Sequence, residues 1–288
     1  MAKRPGVTLR AYWMGNQLRE LREAAGMTLD QPAEHLQRDS TMISRFENGR
    51  SPIRRGDVLA LLDLYGVSDE RRREDLLRLS AELWRKGWWD GYANAFYDRN
   101  FIDFPWLEGR ADRIRSYEAM VLPGLVQARD YAETLIRNEQ GSAASEEQIQ
   151  QWVELRMQRQ RVLAAEEPTR LVAIVEESAL RRPIGGHEVM ADQLGYLRNF
   201  LQNPSIELRV LPLAAGWHAG LDGAFTLFEM PEPFPDVAYV ENLSGRVYVE
   251  APDVENFTHA YDRIYEAALG AGESAELIAT LAKEYEDQ

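Results

Sequence analysis

The spacing of apolar positions divides the chain into two parts of different character. Through residue 80 apolar residues recur at helical intervals, and most runs stop at a glycine. Residues 13–25 carry Met14, Leu18, Leu21 and Ala25 on one face, and Gly26 is placed to end the helix. Thr28 opens a second helix, with Gln31 three residues on completing a capping-box pattern. Asp39 or Ser40 caps a third, which runs to Asn48 and stops at Gly49. A fourth is predicted over 57–65, ended by Gly66. Ser68 opens a fifth, charged through 71–75 and then apolar at Leu76, Leu77, Leu79 and Leu83.

Beyond residue 110 the pattern is mixed. Helical spacing predicts helices over 125–138, 145–165, 187–202, 253–269 and 273–285. Short β-branched or alternating runs predict strands over 170–176, 206–211, 224–230, 237–241 and 246–250. Strands clustered in this way among helices predict an α+β domain with a small mixed or antiparallel sheet. Between the two parts, residues 84–106 hold nine of the 28 aromatic residues. Aromatic side chains bury large areas and dominate interfaces, so this segment reads as packing at a domain junction. The expected organisation is an all-α N-terminal helix-turn-helix domain of five helices over 1–83, an aromatic-rich junction over 84–110, and an α+β domain over 111–288.

The second and third helices, joined by a tight turn, have the form of a helix-turn-helix. Along 39–48, Met42, Ile43 and Phe46 make the inward stripe. Thr41, Ser44, Arg45 and Asn48 follow at i, i+3, i+4 and i+7 and share the opposite face. Short polar side chains around one long arginine suit a helix lying in the major groove, where Arg bonds guanine O6 and N7 together. Such a helix is about 15 Å long, enough to lie across the groove.

Charge distribution strengthens that reading. The chain carries a net −14, yet its first 55 residues hold ten Lys and Arg against six Asp and Glu. That local +4 leaves −18 on the remainder. Electrostatics acts over a Debye length of roughly 8 Å, so a basic head on an acidic body remains compatible with nucleic acid. Cysteine is absent, which excludes disulfides, thiolate metal sites and a cysteine nucleophile, and fits a reducing cytoplasm. Four histidines leave little material for an imidazole metal centre. No apolar run approaches the ~18 residues of a membrane span, and the N-terminus lacks the hydrophobic stretch of a secretory signal.

Candidate chemistry in the second part is sparse. Glu176 and Glu177 follow a predicted strand, but adjacent strand residues face opposite ways, so at most one reaches any given pocket. Gly185, Gly186 and His187 read as a turn before a helix rather than an anion cradle. His218, within Gly216–Trp217–His218–Ala219–Gly220, has no evident nucleophile or second ligand. Phosphate-binding loops, the nucleophile elbow and the zinc-protease motif are all missing. No catalytic residue, cofactor or metal is expected, and an enzyme is disfavoured.

The residues Leu18-Arg19-x-x-Arg22, Gly26-Met27-Thr28, Ala33, Leu36, Ile43-Ser44-Arg45-x-Glu47-Asn48-Gly49 and Pro52 resemble the Xre/phage-repressor helix-turn-helix family. The resemblance covers about 12–80. It implies that Ser40, Thr41, Ser44 and Arg45 face bases, that Thr28, Asn48 and Arg50 hold phosphates, and that Arg22 and Glu47 form a buried pair. Two departures stand out: Pro32 replaces an apolar helix residue, and Gln37 stands where a turn glycine is usual. Over 84–280 the chain resembles actinobacterial antitoxin-like regulators with a large C-terminal domain of unknown function. That likeness rests on Pro123-Gly124-Leu125-Val126-Gln127, Asp130-Tyr131-Ala132, Arg156-x-x-Arg159-Gln160, Glu176-Glu177-x-Ala179-Leu180-Arg181-Arg182, Gln193-Leu194, Val210-Leu211-Pro212, Gly223-x-Phe225 and Tyr239-Val240-Glu241.

Together these readings lead to an expected cytoplasmic, nucleoid-associated transcription regulator that reads double-stranded operator DNA as a homodimer. Its C-terminal domain is expected to dimerise or to receive a partner, either a small-molecule effector or a small protein encoded by a neighbouring gene. An antitoxin-like protein that mainly sequesters that neighbour is the alternative. A small-molecule enzyme with a DNA-binding appendage ranks third.

Overall fold

The computed structural model describes residues 7–85, 87 and 103–287. The chain divides into two compact units, one of residues 1–104 with 232–234 and one of 105–231 with 235–288. Most of the aromatic segment over 84–106 lies outside the described residues.

The first unit contains helices α1 (Leu9–Ala24), α2 (Asp30–His35), α3 (Ser40–Glu47), α4 (Arg55–Leu64) and α5 (Glu70–Glu82). Leu9, Met14, Leu18, Ile43, Val58, Leu61, Leu62 and Leu79 are buried and make up much of its core. The first four helices end in one way. The third residue past each helix end bonds back into the last turn: Met27 N to Arg22 O at 3.0 Å, Arg38 N to Ala33 O at 2.9 Å, Arg50 N to Arg45 O at 2.8 Å, Val67 N to Leu62 O at 3.0 Å. This closure requires a left-handed residue just before that donor. Gly26, Gly49 and Gly66 supply it for α1, α3 and α4, with φ near 70°. For α2 the residue is Gln37, at φ 53°, the one described non-glycine residue with positive φ.

The start of α2 differs from the sequence expectation. Thr28 donates its backbone N–H to Gln31 Oε1 at 2.9 Å, half of a capping box. The N-cap, however, is Leu29, already helical in backbone and with no side-chain cap, so the helix begins at Asp30. Pro32 then occupies the first turn, where its missing N–H would have no helical acceptor in any case.

The second unit is built on a six-stranded mixed sheet. After α6 (Asp103–Glu108) come β1 (Arg113–Glu118), α7 (Arg129–Gln140), α8 (Glu146–Arg159), β2 (Arg170–Glu176), α9 (Glu177–Arg181), α10 (His187–Phe200) and β3 (Ile206–Leu211). The remainder is β4 (Phe225–Glu229), β5 (Val237–Asn242), β6 (Gly245–Val249), α11 (Val254–Ala267) and α12 (Ala271–Glu286). The strand order is β3-β2-β1-β4-β5-β6. β1, β2 and β3 run parallel, and β4, β5 and β6 add antiparallel, so β1 is where the sheet changes direction.

One face of the sheet carries Tyr117, Ile174, Leu227 and Ala238 against Tyr261 and Ile264 of α11. Ser116, Thr226 and Tyr239 alternate onto the other face, in one row across β1, β4 and β5. The helix expected over 125–138 is interrupted: residues 124–126 form a 3₁₀ turn, and α7 starts only at Arg129. The buried Gln193 amide takes the backbone groups that helical continuation would need. It donates to Val126 O at 2.9 Å and accepts from Ala128 N at 2.7 Å. Among the described residues no helix is long and apolar enough to cross a membrane.

Candidate nucleic-acid interface

The outer face of α3 is set by what holds its inner face. Asp39 caps the helix by accepting from Met42 N at 2.8 Å. Ile43 and Phe46 are buried, and Glu47 is only 3% exposed. That carboxylate meets Arg22 of α1 in a two-point pair, with Nε to Oε1 at 2.6 Å and Nη2 to Oε2 at 3.0 Å. The hydrogen bonds and charge of Glu47 raise the Arg22 pKa above its ordinary value, against the lowering effect of burial. Arg22 also donates through Nη1 to Met27 O at 2.8 Å, tying the end of α1 into the same arrangement.

Two residues to which the sequence reading assigns no role complete the contact of α1 with α3. A Cβ on Gly15 would lie 2.5 Å from Glu47 O and 2.7 Å from Phe46 O, so the two helix backbones touch there. Arg19 Nη2 donates to Glu47 O and to Asn48 Oδ1, each at 3.1 Å. A glycine inside an amphipathic helix was the available signal for the close approach. The reach of Arg19 across 28 residues had none.

Thr41 and Arg45 project outward from α3 and are exposed, while Ser40, Ser44 and Asn48 are half-buried. Among the described residues the Arg45 guanidinium has no hydrogen-bond or ion-pair partner. Asn48 is engaged within the domain, donating to Ser44 O at 2.6 Å and to Ser44 Oγ at 3.3 Å while accepting from Arg19. Its side chain must leave these partners before it can bind a phosphate. Thr28 and Arg50 are exposed at opposite ends of the motif, with Arg38, Arg54 and Arg55 also exposed nearby in sequence. Of these, Arg38 is paired with Asp57 at 3.1 Å. The surface therefore presents a short polar helix face and several cations able to meet phosphate oxygens.

In the second unit, several segments behind the resemblance converge. Arg159 pairs with Glu108 at two points, 2.7 and 2.8 Å, both residues buried. Arg156 donates to Gln127 Oε1 at 3.0 Å, Gln127 donates to Leu122 O at 2.7 Å, and Gln160 donates to Gln127 O at 2.7 Å. Glu176 and Glu177 have separate surroundings. Glu176 accepts from Tyr117 Oη at 2.7 Å and stands 3.1 Å from His218 Nε2. Glu177 accepts from Leu213 N and pairs with Arg181. His218 thus has partners that spacing along the chain did not reveal, since β1 and β2 supply them. Burial and the bond to Glu176 push the Tyr117 hydroxyl pKa well above its ordinary value. Gly185 and Gly186 both have positive φ and lead into α10 as a turn. Among the described residues no group of three or more His, Cys, Asp or Glu is placed to hold a metal ion.

Comparison with known families assigns each part separately. Residues 13–74 match a helix-turn-helix domain. Residues 101–280 match a domain of unknown function (DUF5753). No curated protein and no solved structure matches the chain. The second match spans more than half of the 288 residues, so the chain belongs to the DUF5753 family, here with a helix-turn-helix domain at its N-terminus.

Proposed function

We propose that the chain is an Xre-type transcription regulator that reads double-stranded operator DNA through residues 39–48. The observation that carries this reading is the outer face of α3, where exposed Thr41 and Arg45 stand on a helix fixed from behind by the Arg22–Glu47 pair. A helix held in one orientation can present an arginine to a guanine edge with little further ordering. In this reading Ser40, Thr41, Ser44 and Arg45 face bases, and Thr28, Asn48 and Arg50 meet phosphates, which position the protein without reading sequence. The protein works in the cytoplasm, as a homodimer on two half-sites, the usual geometry for this motif. Residues 1–83 are the DNA-reading domain and 111–288 the dimerisation or receiver domain, which has no catalytic role.

Genome-wide mapping of binding sites with the full-length protein tests the reading. A shared short sequence motif in promoters is expected, and binding spread without sequence preference would reject it. An antitoxin-like role, in which the chain mainly sequesters a small protein from a neighbouring gene, is the second reading. It is favoured by Leu213, Trp217 and Leu221, three large apolar side chains each more than 60% exposed within the β3–β4 connection. Stable co-purification of that neighbour with the full chain would support it.

A further inference from the structure

An open cavity of about 270 Å³ lies in the second unit between β4, β5 and the first turns of α11, and the β3–β4 connection forms its remaining wall. Phe225, Val240, Phe257 and Ala260 give it an apolar lining, and Asp222 and Asn256 are its polar side chains. Phe225 is buried and meets half-buried Phe257 edge to face, with ring centroids 5.4 Å apart. Part of an aromatic surface is therefore left open to the cavity. The wall residues at 219, 223 and 224 are alanine or glycine, too short to fill the space.

That wall is tied down on two sides. Gly220 lies against β1 so closely that a Cβ there would collide with the Tyr117 ring. His218 is buried, accepts from Gly220 N through Nδ1 at 3.2 Å and stands 3.1 Å from Glu176 Oε1 through Nε2. On the other side, the Arg263 guanidinium of α11 lies over the Trp217 ring, 5.0 Å from its centroid. The connection is thus fixed to the sheet and to α11 at once. The space between them is preformed, which lowers the ordering cost of binding.

Charge around the cavity has one sign. Asp222 is exposed, and among the described residues its carboxylate has no hydrogen-bond or ion-pair partner. The lining segment 219–225 and the stretch 250–260 around the start of α11 hold Asp222, Glu250, Asp253 and Glu255 but no Lys or Arg. Asp253 and Glu255 also offset the positive end of the α11 dipole, which would otherwise favour an anion. An apolar slot in a negative field selects a cation that carries an apolar group.

We propose that this cavity binds a small organic ammonium with an aromatic tail. The ring packs against Phe225, Phe257 and Ala260, and the ammonium sits on the Asp222 carboxylate with Asn256 Oδ1 as a second acceptor. A volume near 270 Å³ is at the lower end for ligand pockets and suits one ring with a short chain. Contact between rings adds to simple burial of area.

The test uses the full-length protein without DNA, so it stands apart from the DNA-reading proposal. 2-Phenylethylamine is titrated calorimetrically up to about 10 mM, beside 2-phenylethanol, phenylacetate and methylammonium. The amine is expected to bind. 2-Phenylethanol, its uncharged match, should bind about threefold to fivefold more weakly, the range an exposed ion pair supplies. Phenylacetate should bind more weakly still, and methylammonium, which has no tail, should not bind. Asp222→Asn should bring the amine and the alcohol to equal affinity. Ala260→Leu, which fills the space, should weaken the amine by about tenfold or more. Phe257→Leu keeps the bulk without the ring and serves if Ala260→Leu does not fold; it should weaken the amine about twofold to tenfold. The proposal is overturned if 2-phenylethylamine does not bind, or if any of the three comparison compounds binds as tightly. A preference for the amine that survives Asp222→Asn, or unchanged affinity in a folded cavity variant, overturns it equally.

Discussion

Arg22 and Glu47 stand 25 positions apart in sequence, and each derives its environment from the other. Removing Glu47 leaves a guanidinium that is 8% exposed facing a cavity, with Met27 O and Glu23 as remaining partners. Truncating one partner of a buried pair typically costs about 3–5 kcal/mol, mainly because the other charge is stranded. Glu47→Ala should therefore lower the melting temperature of the full chain and abolish DNA binding through loss of the α1–α3 arrangement. An unaltered melting curve would contradict it. Glu118 behaves in the reverse sense. Its folded pKa is raised, so between the ordinary carboxylate range and about 8 the folded state holds a proton that the unfolded chain releases. Stability from this group is present below that window and declines as pH rises through it. The groups facing it are Glu241 from β5, Arg156 and Arg159 from α8, and Tyr131 from α7. Glu118→Gln, which cannot ionise, should lose less stability than wild type between pH 5 and pH 8 in parallel denaturant titrations. Parallel slopes would mean that the carboxyl is ionised throughout.

At the scale of elements, the helices of the first unit were legible because three of their stops are glycines in the left-handed region. The stop of α2 uses the same hydrogen bonds around Gln37, which the sequence displays only as an anomaly. Glycine at that position should relieve about 1 kcal/mol of left-handed strain, partly offset by its greater freedom in the unfolded chain. Gln37→Gly is thus expected to raise the denaturation midpoint, and a fall would mean that the glutamine side chain contributes more than its strain costs. Gly15 makes the opposite case. Alanine there improves helix propensity but drives a Cβ into the backbone of α3, so Gly15→Ala should destabilise the domain, overpacking typically costing ~1–3 kcal/mol. Gly56→Ala is the control, since its Cβ would meet nothing within 4 Å. Equal melting temperatures for the two variants would show that α1 and α3 do not touch at Gly15. The element most hidden in the sequence is β1, although it lies between β2 and β4. Its run Arg113-Ile114-Arg115-Ser116-Tyr117-Glu118 looks like surface, because the partners that make it a strand come from far along the chain. Arg115 pairs with Glu229 of β4 at 2.7 Å and Asp262 of α11 at 3.0 Å, and it lies over the Tyr261 ring. For the same reason the surroundings of His218 were not readable: Tyr117 and Glu176 reach it from two different strands.

Over the whole molecule, the excess of positive charge lies at the start of the first unit, within residues 1–55. The first 55 residues carry a net +4 within a chain of −14, and the exposed Arg45, Arg50, Arg54 and Arg55 fall in that stretch. An acidic remainder disfavours loose association with nucleic acid, so affinity has to come from contacts made by the exposed cations of the first unit and should fall steeply with salt. Base reading and phosphate holding are separable within that unit. Arg45 on the outer face of α3 is assigned to a base and Arg50, past the helix end, to a phosphate. The most direct measurement is therefore the ratio of affinities for a mapped operator and a scrambled duplex, at one fixed salt concentration, for wild type, Arg45→Ala and Arg50→Ala. Arg45→Ala should lose about 1–3 kcal/mol of discrimination. Arg50→Ala should weaken both duplexes alike and leave the ratio intact. An Arg45→Ala protein that still distinguishes the two sequences as well as wild type would contradict the claim that α3 reads the DNA.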